Sequence, residues 1–208
     1  MGVQERKQRE KAYREKSILA AAKKVLLEKG LVVATIDDIA AEAELGKGTL
    51  YRHYRSKEDI LLAINEQALQ ELHHQFSKAV EGAGSGLEKI LRLNRSYYAF
   101  VVANPAYFGF IAFFESPFTS TNAAVVYEMT NAIHILVMEL VELGMQDGSI
   151  RTDLKTNLIA DTIWTGSYGI MQFIVNKGNH LVKDYQVDLN ELFETFLATL
   201  DSGLRALR

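Results

Sequence analysis

The stretch Thr35–Lys57, TIDDIAAEAELGKGTLYRHYRSK, holds the pattern from which the rest of the chain is read. Thr35 with Asp38 three residues on is a Ser/Thr-x-x-acid box, which satisfies the free N–H groups that open a helix. Ile36, Ile39, Ala40 and Ala43 follow at helical spacing, so a short helix ends near Ala43. Glu44-Leu45-Gly46 supplies a tight turn with Leu45 as a plug, and a second helix runs from Lys47 to near Tyr54. That helix is on the order of 10 Å long and fits a DNA major groove roughly 12 Å wide. Ser56-Lys57-Glu58-Asp59 is a further box that starts the next helix. Two short helices around a turn, the second basic and aromatic, describe a helix-turn-helix reading head.

The residue types on the second helix suit that task. Lys47, Gly48 and Thr49 stand at its N-terminus, where side chains reach base edges and glycine lets the backbone come close. Leu50 is expected to face the core, while Tyr51, His53 and Lys57 offer hydroxyl, imidazole and ammonium groups to phosphates.

Charge supports this placement. The 208 residues carry a net charge of -3, but residues 1–57 hold 13 Lys+Arg against 8 Asp+Glu, and residues 58–208 hold 10 against 18. Two readings stand for this split: a phosphate-facing basic end with an acidic remainder kept away from it, and chance unevenness in solvated charge. Apolar residues make up 48% of the chain, enough for one sizeable core and a small satellite domain. No cysteine is present, which excludes disulfides and thiolate metal sites and fits a reducing compartment. The opening MGVQERKQREKAYREK has no apolar run and is not a signal peptide, and no later stretch reaches the roughly 18 apolar residues of a membrane helix. A cytoplasmic protein with no membrane partner is expected.

Upstream of the head, Ile18, Ala21, Ala22, Val25 and Leu26 give a first helix from about residue 9 to Lys29-Gly30; the segment before Tyr13, frayed in isolation, reads first as a solvated tail and second as cations that reach a neighbouring groove or phosphate. Downstream, Leu61, Ile64, Ala68, Leu72, Phe76 and Ala79 mark a long helix, a stiff connection from the head to the rest, ended by the loop EGAGSG at 81–86. A single Glu71-x-x-His74 has carboxylate-metal spacing but no second copy, so no metal is assigned. Residues 87–143 carry Tyr97, Tyr98, Phe100, Tyr107, Phe108, Phe110, Phe113, Phe114, Phe118 and Tyr127, on helices separated at Asn104-Pro105 and Ser116-Pro117. Two readings stand for these rings: core packing, and the lining of a cavity for an apolar molecule. On a helix from about Thr121 to Gly144, Tyr127, His134 and Met138 share a face, and His134 reads either as a satisfied core histidine or as the polar group of that cavity.

A helix from about Thr156 to Lys177 is apolar on two sides, with Ile159, Ile163, Ile170 and Ile174 on one and Trp164, Tyr168, Met171 and Val175 on the other. Two greasy faces need two partners. Gly166, Ser167 and Gly169 permit a close helix approach, and a last helix adds Leu189, Leu192, Phe193, Phe196, Leu197, Leu200 and Leu204. These two helices either close the monomer core or pack against a second copy.

The run TIDDIAAEAELGKGTLYRHYRSKEDIL resembles the DNA-binding signature of the TetR family of bacterial transcriptional regulators, with the likeness extending from Ile18 to near Leu61. The resemblance implies an all-α fold of about nine helices. A three-helix helix-turn-helix domain over 1–57 would be followed by a larger ligand-binding and dimerisation domain over 58–208. It implies that Lys47, Gly48 and Thr49 face bases, that Tyr51 and His53 bind phosphate, that Thr35 offers its cap to the DNA backbone, and that Lys57 presents its ammonium at the N-terminus of the fourth helix. It implies a ligand cavity among the middle helices, for which Tyr97, Phe100, Phe108, Phe113, Tyr127, His134, Met138, Trp164, Tyr168 and Met171 are the candidates. It implies a four-helix-bundle dimer, for which Ile163, Gly166, Ser167, Ile170, Ile174, Leu192, Phe193, Phe196 and Leu200 are the candidates.

The partners expected are a double-stranded operator, a small-molecule effector and a second copy, with no cofactor. The expected protein is a homodimeric repressor released from a pseudo-palindromic operator by a small, largely apolar ligand. The alternative is a constitutive DNA-binding or scaffolding protein of the same fold. No Ser/His/Asp set or glycine-rich phosphate loop suggests an enzyme. Two positions depart from the family pattern: Glu44 stands where glycine is common and Gly46 where serine is.

Overall fold

A computed structural model describes residues 2–114 and 124–206. Nine helices occur among them: α1 (Val3–Lys29), α2 (Ile36–Glu42), α3 (Lys47–His53), α4 (Lys57–Ala79), α5 (Gly86–Ala103), α6 (Pro105–Phe114), α7 (Ala124–Gln146), α8 (Thr156–Tyr185) and α9 (Leu189–Leu204). The fold is all-α, and the described residues add only an isolated antiparallel bridge, Ile150 with Arg205. Ser116-Pro117, Phe118 and the expected helix start at Thr121 lie outside the described residues.

Two compact units are present, Met1–Ala68 with Gly109–Ala123, and Leu69–Phe108 with Ala124–Arg208. In the first, α2 packs on α1 and on α3. Ile18, Ala22, Ile39, Leu50, Ile60 and Ile64 are each fully buried there. Each large one contributes about 1.5–3 kcal/mol relative to exposure. This unit reaches eleven residues past Lys57, because Ile60, Leu61 and Ile64 of α4 bury their side chains within it.

In the second unit α5 packs on α7, α8 and α9, and α8 packs on α7 and α9. Its tightest junction is between the start of α5 and the end of α7. A Cβ placed on Gly86 would stand 2.2 Å from the Gly144 nitrogen. The same junction is tied by hydrogen bonds: Asp147 accepts the Gly86 N–H at 2.8 Å and the Ser149 Oγ accepts the Leu87 N–H at 3.2 Å.

Two helices are longer than their sequence patterns suggest. α1 begins at Val3, carried by good helix formers growing from a segment that is already packed, so no new nucleus is needed. α8 passes through Gly178 to Tyr185 and ends at Gln186 in the left-handed region, φ 55°. Gly178 is a packing residue: a Cβ there would stand 2.9 Å from Leu189 Cδ1.

Candidate nucleic-acid interface

The head is built from caps inward. Thr35 Oγ1 accepts the Asp38 N–H at 3.2 Å, and Asp38 Oδ2 accepts the Thr35 N–H at 3.0 Å, closing the box that starts α2. The Lys29 ammonium donates to Asp38 at 2.7 Å. The bond from Lys29 first, then those from Thr35, hold the Asp38 carboxyl down to about 2. The turn after α2 places Glu44 at φ 53°, in the left-handed region where a side chain costs about 1–2 kcal/mol. That is the physical content of the missing glycine. Gly46 caps α3 with extended backbone and no side-chain bond.

On α3, Leu50 is fully buried and sets the rotation of the helix. Residues three and four positions on share its face. His53 and Tyr54 therefore turn inward: the His53 side chain keeps 7% of its exposure, with Nδ1 3.5 Å from Glu15 of α1. Burial first, with Glu15 and Glu66 adding, pushes the Tyr54 hydroxyl up to about 12. The expected phosphate role of His53 does not fit this position.

Lys57 is also otherwise occupied. Its ammonium donates to the carbonyls of Leu31, Val32 and Ala34 at 3.2, 3.2 and 3.0 Å, which uses all three protons to hold the loop before Thr35. It is a loop clamp in this conformation, not a group presented to phosphate.

The outward face carries Lys47, Gly48, Tyr51 and Arg52, all exposed, with Thr49 half-buried beside them. Lys47 reaches back to Asp37 at 2.5 Å, and that bond raises its pKa. Both partners are more than half exposed, so solvent screens the pair and a phosphate can compete for the lysine. Nothing stands within 4 Å of a Cβ built on Gly48, so the helix surface there is open. Arg52 was missed in the sequence. Its signal is its place four residues after Gly48, on the face opposite Leu50.

The second unit redistributes the remaining candidates. Tyr97 stacks on Trp164 at 6.2 Å, meets Phe108 at 6.3 Å and takes the edge of Phe76 at 5.6 Å, while Phe108 meets Tyr168 at 5.7 Å. Phe100 stacks on Tyr107, and Met171 is fully buried. Tyr127 is 74% exposed and stands outside this ring cluster. His134 is half-buried, and its Nε2 lies 2.9 Å from Asp161, joining α7 to α8, so its imidazole is engaged by a carboxylate rather than by the ring cluster. Met138 is half-buried on α7. Phe113 belongs to the first unit, while the other candidates belong to the second.

Of the dimer candidates, Ile163, Ser167, Ile174 and Phe193 are buried within the chain and unavailable to a partner. Ser167 donates to buried Asn94 of α5 at 2.5 Å, and Phe193 stacks on Tyr98 at 4.3 Å. Gly166, Ile170, Leu192, Phe196 and Leu200 are partly exposed. A groove of about 500 Å³ runs between α8 and α9, lined by Leu158, Thr162, Gly166, Phe196 and Leu200 among others.

Residues 18–64, which span the head, match the family model described as bacterial regulatory proteins, tetR family. The HTH-type transcriptional repressor KstR2 of Rhodococcus jostii (strain RHA1) is 30% identical over 162 residues, covering 74% of this chain and 78% of that protein. The chain belongs to the TetR family. As a TetR-family regulator it is a DNA-binding transcription factor and not an enzyme.

Solved structures share the whole architecture. A TetR-family regulatory protein from Rhodococcus RHA1 superposes with a TM-score of 0.75 at 16% identity, covering 94% of this chain and 98% of that one. FadR from Bacillus subtilis, solved in complex with stearoyl-CoA, gives 0.72 at 20% identity, covering 90% and 97%. Among the described residues of this TetR-family chain, no single helix is long and apolar enough to cross a membrane.

Proposed function

We propose that this TetR-family protein is a homodimeric repressor acting in the cytoplasm. It grips a pseudo-palindromic operator through α3 and lets go when a small, largely apolar molecule enters the second unit. The observation that carries the DNA part is the outward row Lys47, Gly48, Tyr51 and Arg52 over the buried Leu50. Lys47, Thr49 and Arg52 would read base edges, and Tyr51 would anchor to phosphate. His53 and Lys57 would support the head from within, and Thr35 would act through its cap.

Dimerisation is supported by the α8–α9 groove and by the exposed Leu158 and Phe173 on α8, an apolar face that a second copy would cover. The effector reading rests on the ring cluster around Tyr97 and on the likeness to FadR, whose stearoyl-CoA combines a long apolar chain with a polar head. A ligand favouring one spacing of the two heads would change operator affinity, and DNA would change ligand affinity by the same factor.

The test uses a duplex selected by the full chain from a random library. Tyr51→Ala is expected to weaken binding to every duplex, whereas Lys47→Ala and Arg52→Ala also change which bases are preferred, by about 1–3 kcal/mol per base contact. Selection repeated with those two variants and yielding an unchanged preference would remove α3 as the reading helix. Sedimentation showing a monomer on DNA would remove the two-fold operator.

A further inference from the structure

We propose that the first four turns of α1 are a second DNA-contacting element, a basic helical arm that lies along the phosphate backbone flanking the bases read by α3. α1 is helical from Val3, yet residues 4–13 are all exposed and bury nothing within the chain. Between Gly2 and Lys16 the arm carries Arg6, Lys7, Arg9, Lys11, Arg14 and Lys16 against only Glu5, Glu10 and Glu15.

The three acids have local partners. Glu5 accepts the Gly2 N–H at 3.0 Å, Glu10 pairs with Arg14 at 3.4 Å, and Glu15 lies 3.7 Å from Lys11. Arg6, Lys7 and Lys16 make no ion pair among the described residues. Arg6 and Lys7 also stand near the positive end of the helix dipole, where a cation is disfavoured. An arm that buries nothing and places its cations against the dipole gains little for the fold and much for a polyanion.

Its root fixes which polyanion. Glu15, the last acid of the arm, lies 3.5 Å from His53, the final residue of α3, so the arm leaves the head beside the end of the recognition helix. From there it extends about 20 Å. A duplex carries one charge per roughly 1.7 Å of axis, so an arm of this length passes enough phosphates for several contacts. Residues 4–12 are Gln, Glu, Arg, Lys and one Ala, with no apolar face to enter a lipid surface.

The experiment uses the full chain and the selected duplex, synthesised with flanks of about 2 or about 12 base pairs, enough to fall short of or to underlie an arm of this length. The triple change Arg6→Gln, Lys7→Gln, Arg9→Gln should lower the slope of log affinity against log salt by about 2.7, since each phosphate contact contributes about 0.9. The loss should appear on the long flanks and be absent on the short ones. Glu10→Lys should tighten binding on the long flanks only. Tyr51→Ala, by contrast, should weaken both duplexes, which separates failure of the arm from failure of α3. An unchanged slope, or an equal loss on both duplexes, overturns the arm while leaving α3 in place. A wild-type chain that selects no duplex overturns both.

Discussion

The outward face of α3 and the ring cluster around Tyr97 both carry tyrosine but resolve in opposite directions. On α3 a short helix with one buried leucine has only one way to turn, so Lys47, Tyr51 and Arg52 reach solvent while His53 and Tyr54 turn in. In the second unit the rings of one cluster come from four helices, α4, α5, α6 and α8. Tyr97, Phe108, Trp164 and Tyr168 end up against one another, while on α7 Tyr127 faces outward and His134 is half-buried beside Asp161. One region obeys local rules and the other is settled by what packs against it.

That contrast is most sharply tested where two helices meet without side chains. Gly86→Ala would press a methyl into the backbone of Gly144 and should destabilise the protein by about 3 kcal/mol or more, read as a lower urea midpoint. A variant as stable as the original would mean that the α5–α7 junction is looser than the geometry requires, and that the second unit is less governed by packing than the first.

A smaller effect is expected at the clamp in the head. Lys57→Met keeps the stem and removes the three bonds to the loop carbonyls, at a cost of about 2 kcal/mol, with faster amide exchange over residues 31–35. If Lys57 served phosphate instead, the salt slope of DNA binding would fall by about 0.9 and the loop amides would stay protected.

The smallest change is expected at the cap. Thr35→Ala should cost about 1 kcal/mol. Because the folded pKa of Asp38 is depressed to about 2, its contribution is fully present above the unfolded carboxyl value, about 4, and is lost as pH falls through 2. A carboxyl titration by NMR should give that midpoint and should move it upward in Thr35→Ala. An Asp38 midpoint at the ordinary value in the unaltered protein would contradict the closed box.

Legibility followed the range of the interactions. The boxes at Thr35 and Ser56, the burial of Leu50 and the bounds of α2 and α3 were readable because each depends on residues within four positions. Even the inward turn of His53 was available, three residues from Leu50, although its imidazole chemistry pointed to phosphate. The role of Lys57 was not available, since its carbonyl partners lie 23 to 26 residues earlier in the chain. Ser167 read as a small residue at a helix crossing, and its crossing is with α5 of the same chain, where Asn94 accepts its proton.

By itself the sequence determined the all-α class, the helix-turn-helix, its membership in a family of DNA-binding regulators and the separation of positive from negative charge. Tertiary structure alone decided which isoleucines of α8 the chain keeps for itself, which rings meet, where Lys57 spends its protons and that α1 continues as an exposed basic arm. The physical reason is the distance over which each is set. Caps, turns and helical faces are fixed by neighbours along the chain, whereas burial and hydrogen-bond partners between helices depend on residues tens of positions away.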